Sequence, residues 1–376
     1  MGRSDDRKNN FYVSGPKHMT QTEVDWNSEE HRRCITACLV KGTYILESER
    51  QERRTEGELA AAWWENFNFR LHRVLESGCN RDCCKNLLRI FGDQSTRSLV
   101  AASRMHAGTS PPSWTPAPHY VVAFRGTMPR NDTVFDDMHH NLSVLLNKQK
   151  SCGRFKDARR HVTSLLDSTP TAGAAGGRAV AGGTNSNSNS VVWLAGHSLG
   201  ASIALDVGRY GMVTGRGCNL PTFLFNPPHV SAAPLIDVMP EEAKRDLYRF
   251  SYGVKCVLGM KILRSHRKHM EDLFGQLSPW VPNLYVHRRD AICKGFIDYF
   301  EQLEQMKEWS TRVANSAATL SYRDMAYYVF HQQSELQHLI PCAVLWISDG
   351  DDPHGLQQWW RPKGTALNLR RNEYSW

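Results

Sequence analysis

The chain has 376 residues, of which 41% are hydrophobic and 22% are charged. This is the composition of a globular protein, and it excludes a collagen, a coiled coil and a wholly disordered chain. The 46 Lys and Arg residues exceed the 38 Asp and Glu residues, so the net charge is +8. Such a charge is compatible with peripheral contact with an anionic membrane surface, but no nucleic-acid module accompanies it and no nucleic-acid partner is expected.

The N-terminus and the cysteines indicate the compartment. The first ten residues, MGRSDDRKNN, contain no apolar core of the kind that a signal peptide needs. No window approaches the ~18 unbroken apolar residues of a membrane span. These features predict an intracellular, cytoplasmic protein with reduced thiols. Cys79, Cys83 and Cys84 lack a second cluster of Cys or His at zinc-like spacing, so no metal site is expected.

Composition along the chain predicts the domain organisation. Residues 1–19 are polar and are predicted to form a flexible tail, whereas 20–376 are predicted to form one domain. Residues 168–190 are dominated by Gly, Ala, Ser and Asn. This composition is typical of a disordered insert within a domain rather than of a boundary between two domains.

Two helices are predicted before the first strand. Asn27 followed by Glu30 has the form of a capping box, which predicts a long helix that ends near Arg50. A second helix is predicted from about Glu56 to Glu76, through the aromatic segment WWENFNF. The apolar residues that the first helix is expected to carry are Ile35, Leu39 and Leu46.

Short apolar segments alternate with helical segments over the rest of the chain. Strands are predicted at 119–124, 191–195, 222–225, 284–287 and 342–347. Helices are predicted between them, including parts of 131–166 and 296–309. The alternation predicts an α/β fold with a mostly parallel sheet covered by helices on both faces. The amphipathic part, 131–146, is interpreted as a packed core helix, with an interfacial lid as the alternative.

The strongest functional signal is Gly196-His197-Ser198-Leu199-Gly200, which follows the apolar strand VVWLA and precedes a helical segment. A Gly-x-Ser-x-Gly pentapeptide between a strand and a helix is typical of a nucleophile elbow. Such a turn lifts the serine hydroxyl out of the sheet and sets it at a helix N-terminus, where the dipole favours developing negative charge. Ser198 is therefore the predicted nucleophile, and the His197 ring is expected to pack beneath the elbow.

A serine nucleophile needs a base, and the base needs an acid that orients it. In this arrangement the acid comes before the histidine along the chain, each in a loop after a strand. Asp290 follows the strand-like LYVH by two residues and is the predicted acid. Its alternative role is a surface ion pair with Arg288 or Arg289, and Asp298, inside a helical pattern, is a weaker candidate for the acid.

The predicted base is His354, which follows the last apolar strand in the polar loop SDGDDPHG. His338 and His331 are the alternatives. Three aspartates of the same loop lack the ligand spacing and the closing Glu of a calcium-binding loop, so solvated charge is the favoured interpretation there. Those aspartates are Asp349, Asp351 and Asp352.

The tetrahedral intermediate needs two backbone donors. One is expected from Leu199, directly after the nucleophile. The other is expected from the loop after an earlier strand, where Arg125-Gly126-Thr127 follows VVAF. Gly126 permits close approach of the backbone, and the Thr127 hydroxyl can add a further donor. A plain turn is the alternative for this segment.

The chain resembles the class 3 (fungal-type) triacylglycerol lipases in four features, namely VVAFRGT, GHSLG, an Asp after a strand and a late His. Four segments are similar to a plant lipase-like subgroup, some members of which are labelled GDSL esterase/lipase. They are VDWNSEEHRR near the start, the predicted helix WWENFNF, LYVHRRDAIC around the acid and HGLQQWW around the base. The resemblance covers most of residues 20–362 outside the insert. The segment after the acid departs from the family pattern. Class 3 lipases usually continue there with Val-Pro, which lines the acyl pocket, whereas this chain has Ala-Ile-Cys. The preferred acyl chain length therefore stays open.

The resemblance implies an α/β-hydrolase fold and a serine esterase or lipase that acts on a lipid acyl ester. Residue by residue, it implies Ser198 as nucleophile, Asp290 as acid, His354 as base, and Thr127 and Leu199 as oxyanion donors. No metal and no organic cofactor is implied. Three alternatives stay open, namely an acyltransferase that uses the same triad, a non-catalytic lipase-like scaffold in signalling, and a membrane-surface binding module that uses the basic clusters of the chain.

Overall fold

The computed structural model of the chain contains an eight-stranded mixed sheet with helices on both faces. The residues that it describes are 7–19, 24–54, 58–75, 88–93, 117–128, 153–168, 192–214, 217–229, 250, 251, 253–259, 263–330, 336, 338–364 and 367–375. The strands, in chain order, are β1 (Phe69–Leu75), β2 (Leu88–Asp93), β3 (Tyr120–Phe124), β4 (Val192–His197), β5 (Thr222–Phe225), β6 (Asn283–His287), β7 (Ala343–Ser348) and β8 (Leu369–Tyr374).

The order of the strands in the sheet is the same as their order in the chain. Strands β3 to β7 run parallel, whereas β1 and β2 at one edge and β8 at the other pair antiparallel. Parallel neighbours need a long crossover, and the segments between β4 and β7 contain helices that supply one. The predicted α/β class with a mostly parallel sheet is therefore confirmed.

The helices cover both faces of this sheet. They include α1 (Phe11–Ser14), α2 (Glu29–Glu52), α3 (Ala62–Glu65), α4 (Gly153–Ser168), α5 (Leu199–Val213), α6 (Arg264–Leu277), α7 (Gly295–Trp309), α8 (Thr311–Thr319), α9 (Tyr322–Val329) and a 3₁₀ helix (Leu356–Trp360). No helix among the described residues combines the length and the apolar character that crossing a bilayer requires.

Alternate side chains of the strands feed two separate cores. Leu194 of β4 lies in the core that α4 to α9 share, and its neighbour Trp193 lies in the core formed with α1, α2, α3 and the 3₁₀ helix. This is the period of two that a strand imposes on its side chains. Helix α5, which follows the elbow, and the long helix α2 therefore pack on opposite faces of the sheet.

The strand register brings the candidate site residues to one edge. Phe124 pairs with Gly196, and His287 pairs with Ser348, so successive parallel strands end at nearly the same level. Because the chain leaves a parallel strand at its carboxyl end, the residues that follow β3 to β7 meet along this edge. Ligands of open parallel sheets bind at this position.

The N-terminal elements differ in part from the predicted ones. The N-cap of α2 is Ser28, one residue after the proposed Asn27, because the Ser28 hydroxyl accepts a hydrogen bond from the His31 amide. Residues 7–19, predicted as part of a flexible tail, contain α1, whose Phe11 ring is buried and packs 5.3 Å from Trp63. The predicted burial of Ile35, Leu39 and Leu46 in α2 is confirmed.

The prediction of a helix from Glu56 to Glu76 is wrong. Within 58–75, the part of this range that the structure describes, the short α3 is the only helix, and Asn68 then takes a left-handed backbone conformation with φ 60°. From Phe69 the apolar residues alternate, and β1 pairs with β2 instead. The predicted helical segment 131–166 contains α4 over its last part, while the candidate lid at 131–146 and most of the predicted insert lie outside the described residues.

Candidate active site

Ser198 occupies a sharp turn between the buried strand β4 and helix α5. Its backbone angles are φ 53° and ψ −128°, a conformation that a residue with a side chain rarely adopts and that costs about 1–3 kcal/mol. The Ser198 amide donates to the Phe225 carbonyl at the end of β5, at 2.9 Å. Ser198 is also the N-cap of α5, so it stands beside amides that have no acceptor within the helix.

Close packing explains the two glycines of the pentapeptide. A Cβ on Gly196 would overlap the Gly200 carbonyl, and a Cβ on Gly200 would overlap the Phe124 carbonyl at the end of β3. The first turn of α5 therefore lies against the ends of β3 and β4 at a distance that a side chain does not permit. This packing holds the strained Ser198 backbone in place.

Asp290 and His354 come together at the same edge. Asp290 follows β6, and His354 lies in the loop between β7 and the 3₁₀ helix. Nδ1 of His354 lies 2.8 Å from Oδ2 of Asp290, and only 4% of the Asp290 side chain and 11% of the His354 side chain are exposed. The carboxylate accepts, so Nδ1 carries the proton and Nε2 is the nitrogen that can act as a base.

The surroundings of Asp290 keep it ionised. Burial raises its pKa, but hydrogen bonds from His354, from Asn226 and from the Ile292 amide outweigh that effect and hold the pKa of Asp290 below its usual value. The Ile292 amide donates to Oδ1 at 3.0 Å. The alternative ion pair with Arg288 or Arg289 does not form. Arg288 lies 3.5 Å from Asp349, and the Arg289 guanidinium donates to the Gly350 carbonyl.

Asn226 is a site residue that the sequence analysis missed. It follows β5, is fully buried, and its side-chain nitrogen donates to Oδ2 of Asp290 at 2.7 Å and to the Pro353 carbonyl at 2.8 Å. Its side-chain oxygen accepts from the Trp359 indole at 2.7 Å. Asn226 thus fixes the acid, the histidine loop and the 3₁₀ helix together. Its sequence signal is a polar residue at the carboxyl end of a predicted parallel strand.

The His354 loop is attached to the elbow through His197. Nε2 of His197 lies 3.0 Å from the His354 carbonyl oxygen, and the centres of the two rings are 5.0 Å apart. His197 immediately precedes Ser198, so this contact places the His354 loop against the turn that carries the candidate nucleophile. The expected location of the His197 ring next to the elbow agrees with this contact.

The loop after β3 lies directly against Ser198. A Cβ on Gly126 would come 2.9 Å from the Ser198 Cβ and 2.6 Å from the Tyr44 hydroxyl. The Gly126 amide already donates to that hydroxyl, at 2.6 Å. Thr127, partly exposed, follows it. The segment therefore brings the backbone beside the candidate nucleophile, as the sequence predicts for Gly126.

The remaining candidate residues lie elsewhere. His338 is bonded to the Thr319 carbonyl at 3.0 Å, and Asp298 lies in the first turn of α7. His331 lies outside the described residues. Among the part of the chain that the structure describes, no group of His, Cys, Asp and Glu side chains could hold a metal ion.

One comparison with known proteins gives a match over nearly the whole chain. The chain is 30% identical over 371 residues to a GDSL esterase/lipase of Arabidopsis thaliana, and the alignment covers 94% of this chain and 95% of the relative. The chain belongs to the family of that esterase/lipase. No family model matches the chain, and no solved structure does.

The name of the relative refers to a Gly-Asp-Ser-Leu motif. That string does not occur in this chain, in which the serine at the strand-to-helix turn stands in Gly-His-Ser-Leu-Gly. The family membership supports hydrolysis of ester bonds at the general level. The particular chemistry has to be argued from the side chains at the sheet edge.

Proposed function

We propose that the chain is a carboxylic ester hydrolase with an α/β-hydrolase fold, in which Ser198, Asp290 and His354 form the catalytic triad. The observation that carries the proposal is the buried 2.8 Å contact between Asp290 and His354, in a loop that is hydrogen-bonded to the residue before Ser198. A histidine that a buried carboxylate orients, beside a serine on a strained strand-to-helix turn, is the arrangement that activates a serine for attack on an ester.

In the first half of the reaction Ser198 attacks the ester carbonyl. Nε2 of His354 takes the hydroxyl proton as the Ser198 Oγ bonds to the carbonyl carbon. Asp290 keeps the proton of His354 on Nδ1 and stabilises the imidazolium that forms. The same imidazolium then gives its Nε2 proton to the leaving alkoxide, so that an alcohol departs and an acyl-enzyme remains.

The negative charge on the carbonyl oxygen needs two amide donors. Leu199 is the first residue of α5, and its amide is among those that lack an acceptor within the helix. The Gly126 amide is occupied by the Tyr44 hydroxyl, so we assign the second donor to the next residue, Thr127. Donors of this kind stabilise the transition state by about 2.7–4 kcal/mol each.

In the second half a water molecule releases the acyl group. His354 removes a proton from the water, whose oxygen bonds to the acyl carbon, and then returns the proton to Ser198 Oγ as the acid leaves. All steps use groups of this chain, the ester and water. A lipid acyl ester is the narrower substrate that we propose, since the chain resembles class 3 lipases and the relative is named an esterase/lipase.

The test is hydrolysis of acyl esters that differ in chain length and head group. Ser198→Ala should lower kcat by on the order of 10⁶ on whichever ester the wild type hydrolyses, because the nucleophile is lost. Product analysis with an alcohol acceptor present separates hydrolysis from acyl transfer. Equal turnover of an ester by wild type and Ser198→Ala would contradict the role of Ser198, and a wild type that hydrolyses none of the esters would favour a non-catalytic scaffold.

A further inference from the structure

A chain of hydrogen bonds runs beneath Ser198 from the oxyanion loop to the His354 loop. The Gly126 amide lies 2.6 Å from the Tyr44 hydroxyl, that hydroxyl lies 2.8 Å from Nδ1 of His197, and Nε2 of His197 lies 3.0 Å from the His354 carbonyl. None of these contacts belongs to the triad or to the oxyanion donors. They connect the two loops between which the ester carbonyl would be held.

The donors and acceptors of this chain are fixed by chemistry. An amide can only donate and a carbonyl can only accept, so the Tyr44 oxygen accepts from Gly126 and Nε2 of His197 donates to His354. The Tyr44 proton is then left for Nδ1 of His197. Burial, followed by the effect of the nearby His354, lowers the pKa of His197 to about 3, so the ring is neutral and matches this pattern.

Tyr44 comes from α2, on the face of the sheet opposite to α5. Three residues further along the same helix, Glu47 lies 3.5 Å from Arg125, and both side chains are fully buried. The Arg125 guanidinium also donates to the Gly126 carbonyl at 2.9 Å. Two side chains of α2 thus hold Gly126, one at its amide and one, through Arg125, at its carbonyl. The orientation of this peptide determines where the following Thr127 amide points.

We propose that Tyr44 and His197 are positioning residues, which set the separation between the oxyanion loop and the His354 loop across the Ser198 hydroxyl. This inference rests on the proposed function. It gives His197, the first variable residue of Gly-x-Ser-x-Gly, a role in the geometry of the transition state. It gives the same role to Tyr44 of α2, a helix that does not belong to the loops at the strand ends. Neither residue touches the substrate in this proposal, so each acts through the backbone that it holds.

Tyr44→Phe removes only the hydroxyl and breaks the chain in the middle. We expect about tenfold slower labelling by a fluorophosphonate and about tenfold lower kcat, with KM unchanged, because one neutral hydrogen bond in the transition-state geometry is lost. The matched control is Tyr285→Phe, since the buried Tyr285 hydroxyl donates to Glu29 at the other end of α2. The control should lose comparable thermal stability and keep both rates.

Two substitutions of His197 test the chain from its other side. The side-chain oxygen of His197→Asn can replace Nδ1 and keep the Tyr44 bond, whereas the side-chain nitrogen of His197→Gln can replace Nε2 and keep the His354 bond. We expect each of them to label faster than His197→Ala and slower than the wild type. This partial rescue is not expected of a merely space-filling ring, and these variants carry the test if Tyr44→Phe does not fold.

The outcomes separate this inference from the proposed function. A wild type that fluorophosphonate does not label, or a Ser198→Ala variant that it does label, overturns the proposed function and this inference with it. A labelled wild type with folded Tyr44→Phe and His197→Ala variants that react at the wild-type rate overturns the inference alone. Equal loss of kcat in Tyr44→Phe and Tyr285→Phe would also overturn it, because the effect would then be one of stability.

Discussion

His197 is a buried histidine whose neutral form the fold requires. It lies between the Tyr44 hydroxyl and the His354 carbonyl, and its pKa falls from 6.5 to about 3. Between these two pH values the unfolded chain binds a proton that the folded chain does not bind. The free energy of unfolding that His197 contributes is therefore complete above pH 6.5 and decreases as the pH falls toward 3.

This difference in protonation predicts the acid sensitivity of the protein. His197→Gln should reduce the dependence of unfolding free energy on pH between 6.5 and 3, by up to about 1.4 kcal/mol per pH unit, because one proton is no longer taken up on unfolding. Urea titrations at several pH values measure it. His269→Gln, at an exposed position of α6, is the control for losing a histidine. Parallel curves for wild type and His197→Gln would contradict the expectation.

A residue of the candidate site could be predicted from the sequence where it follows an apolar strand. Ser198, Asp290 and His354 each follow an apolar strand, and the structure brings the last two into contact. Asn226 carries the same signal, a polar residue directly after an apolar strand, whereas Tyr44 lies inside a helix and carries none. The roles of both depend on contacts with residues that are distant in sequence. Asn226 contacts Asp290 64 residues away, and Tyr44 contacts His197 153 residues away.

At the scale of elements, the elbow depends on the close approach of α5 to β3. Gly200→Ala should lower the free energy of unfolding by about 1–3 kcal/mol, because its Cβ would overlap the Phe124 carbonyl and the two elements must separate. Urea unfolding midpoints measure the effect. Gly275→Ala in α6 is the matched control, since beyond the adjacent residues and the local backbone of its own helix no described atom lies within 4 Å of its added Cβ.

The two glycine variants are expected to differ in their effect on the free energy of unfolding. Alanine favours a helix interior over glycine by about 1 kcal/mol, so Gly275→Ala should leave stability unchanged or raise it. If Gly200→Ala were as stable as the wild type and as reactive with a fluorophosphonate, the tight packing of the elbow would not be what holds Ser198. A decrease confined to Gly200→Ala supports that packing.

The parallel strands were predictable and the antiparallel ones were not. Strands β3 to β7 are continuous apolar runs, all or nearly all buried, which is the pattern of a sheet covered on both faces. Strand β8 has the sequence LRRNEY, in which Tyr374 is the only buried residue, and its polar side chains hide its strand character. The apolar residues before β1 have helical spacing up to Phe67. The left-handed backbone of Asn68 ends this spacing, and β1 begins at the next residue.

At the scale of the whole molecule, the sheet separates two helical layers that meet at the site. Helix α5 carries the elbow from one layer, and α2 of the other layer reaches the same edge through Tyr44 and Glu47. The N-terminal helices are therefore part of the geometry of the active edge.

If Ser198 is the activated nucleophile that we propose, it reacts covalently with an electrophile, and the site of the covalent adduct tests this. Wild-type protein treated with a fluorophosphonate should gain the mass of one adduct, and peptide mass spectrometry should locate it on Ser198. Ser198→Ala should gain none. An unmodified wild type, or an adduct on another residue that persists in Ser198→Ala, would contradict the account.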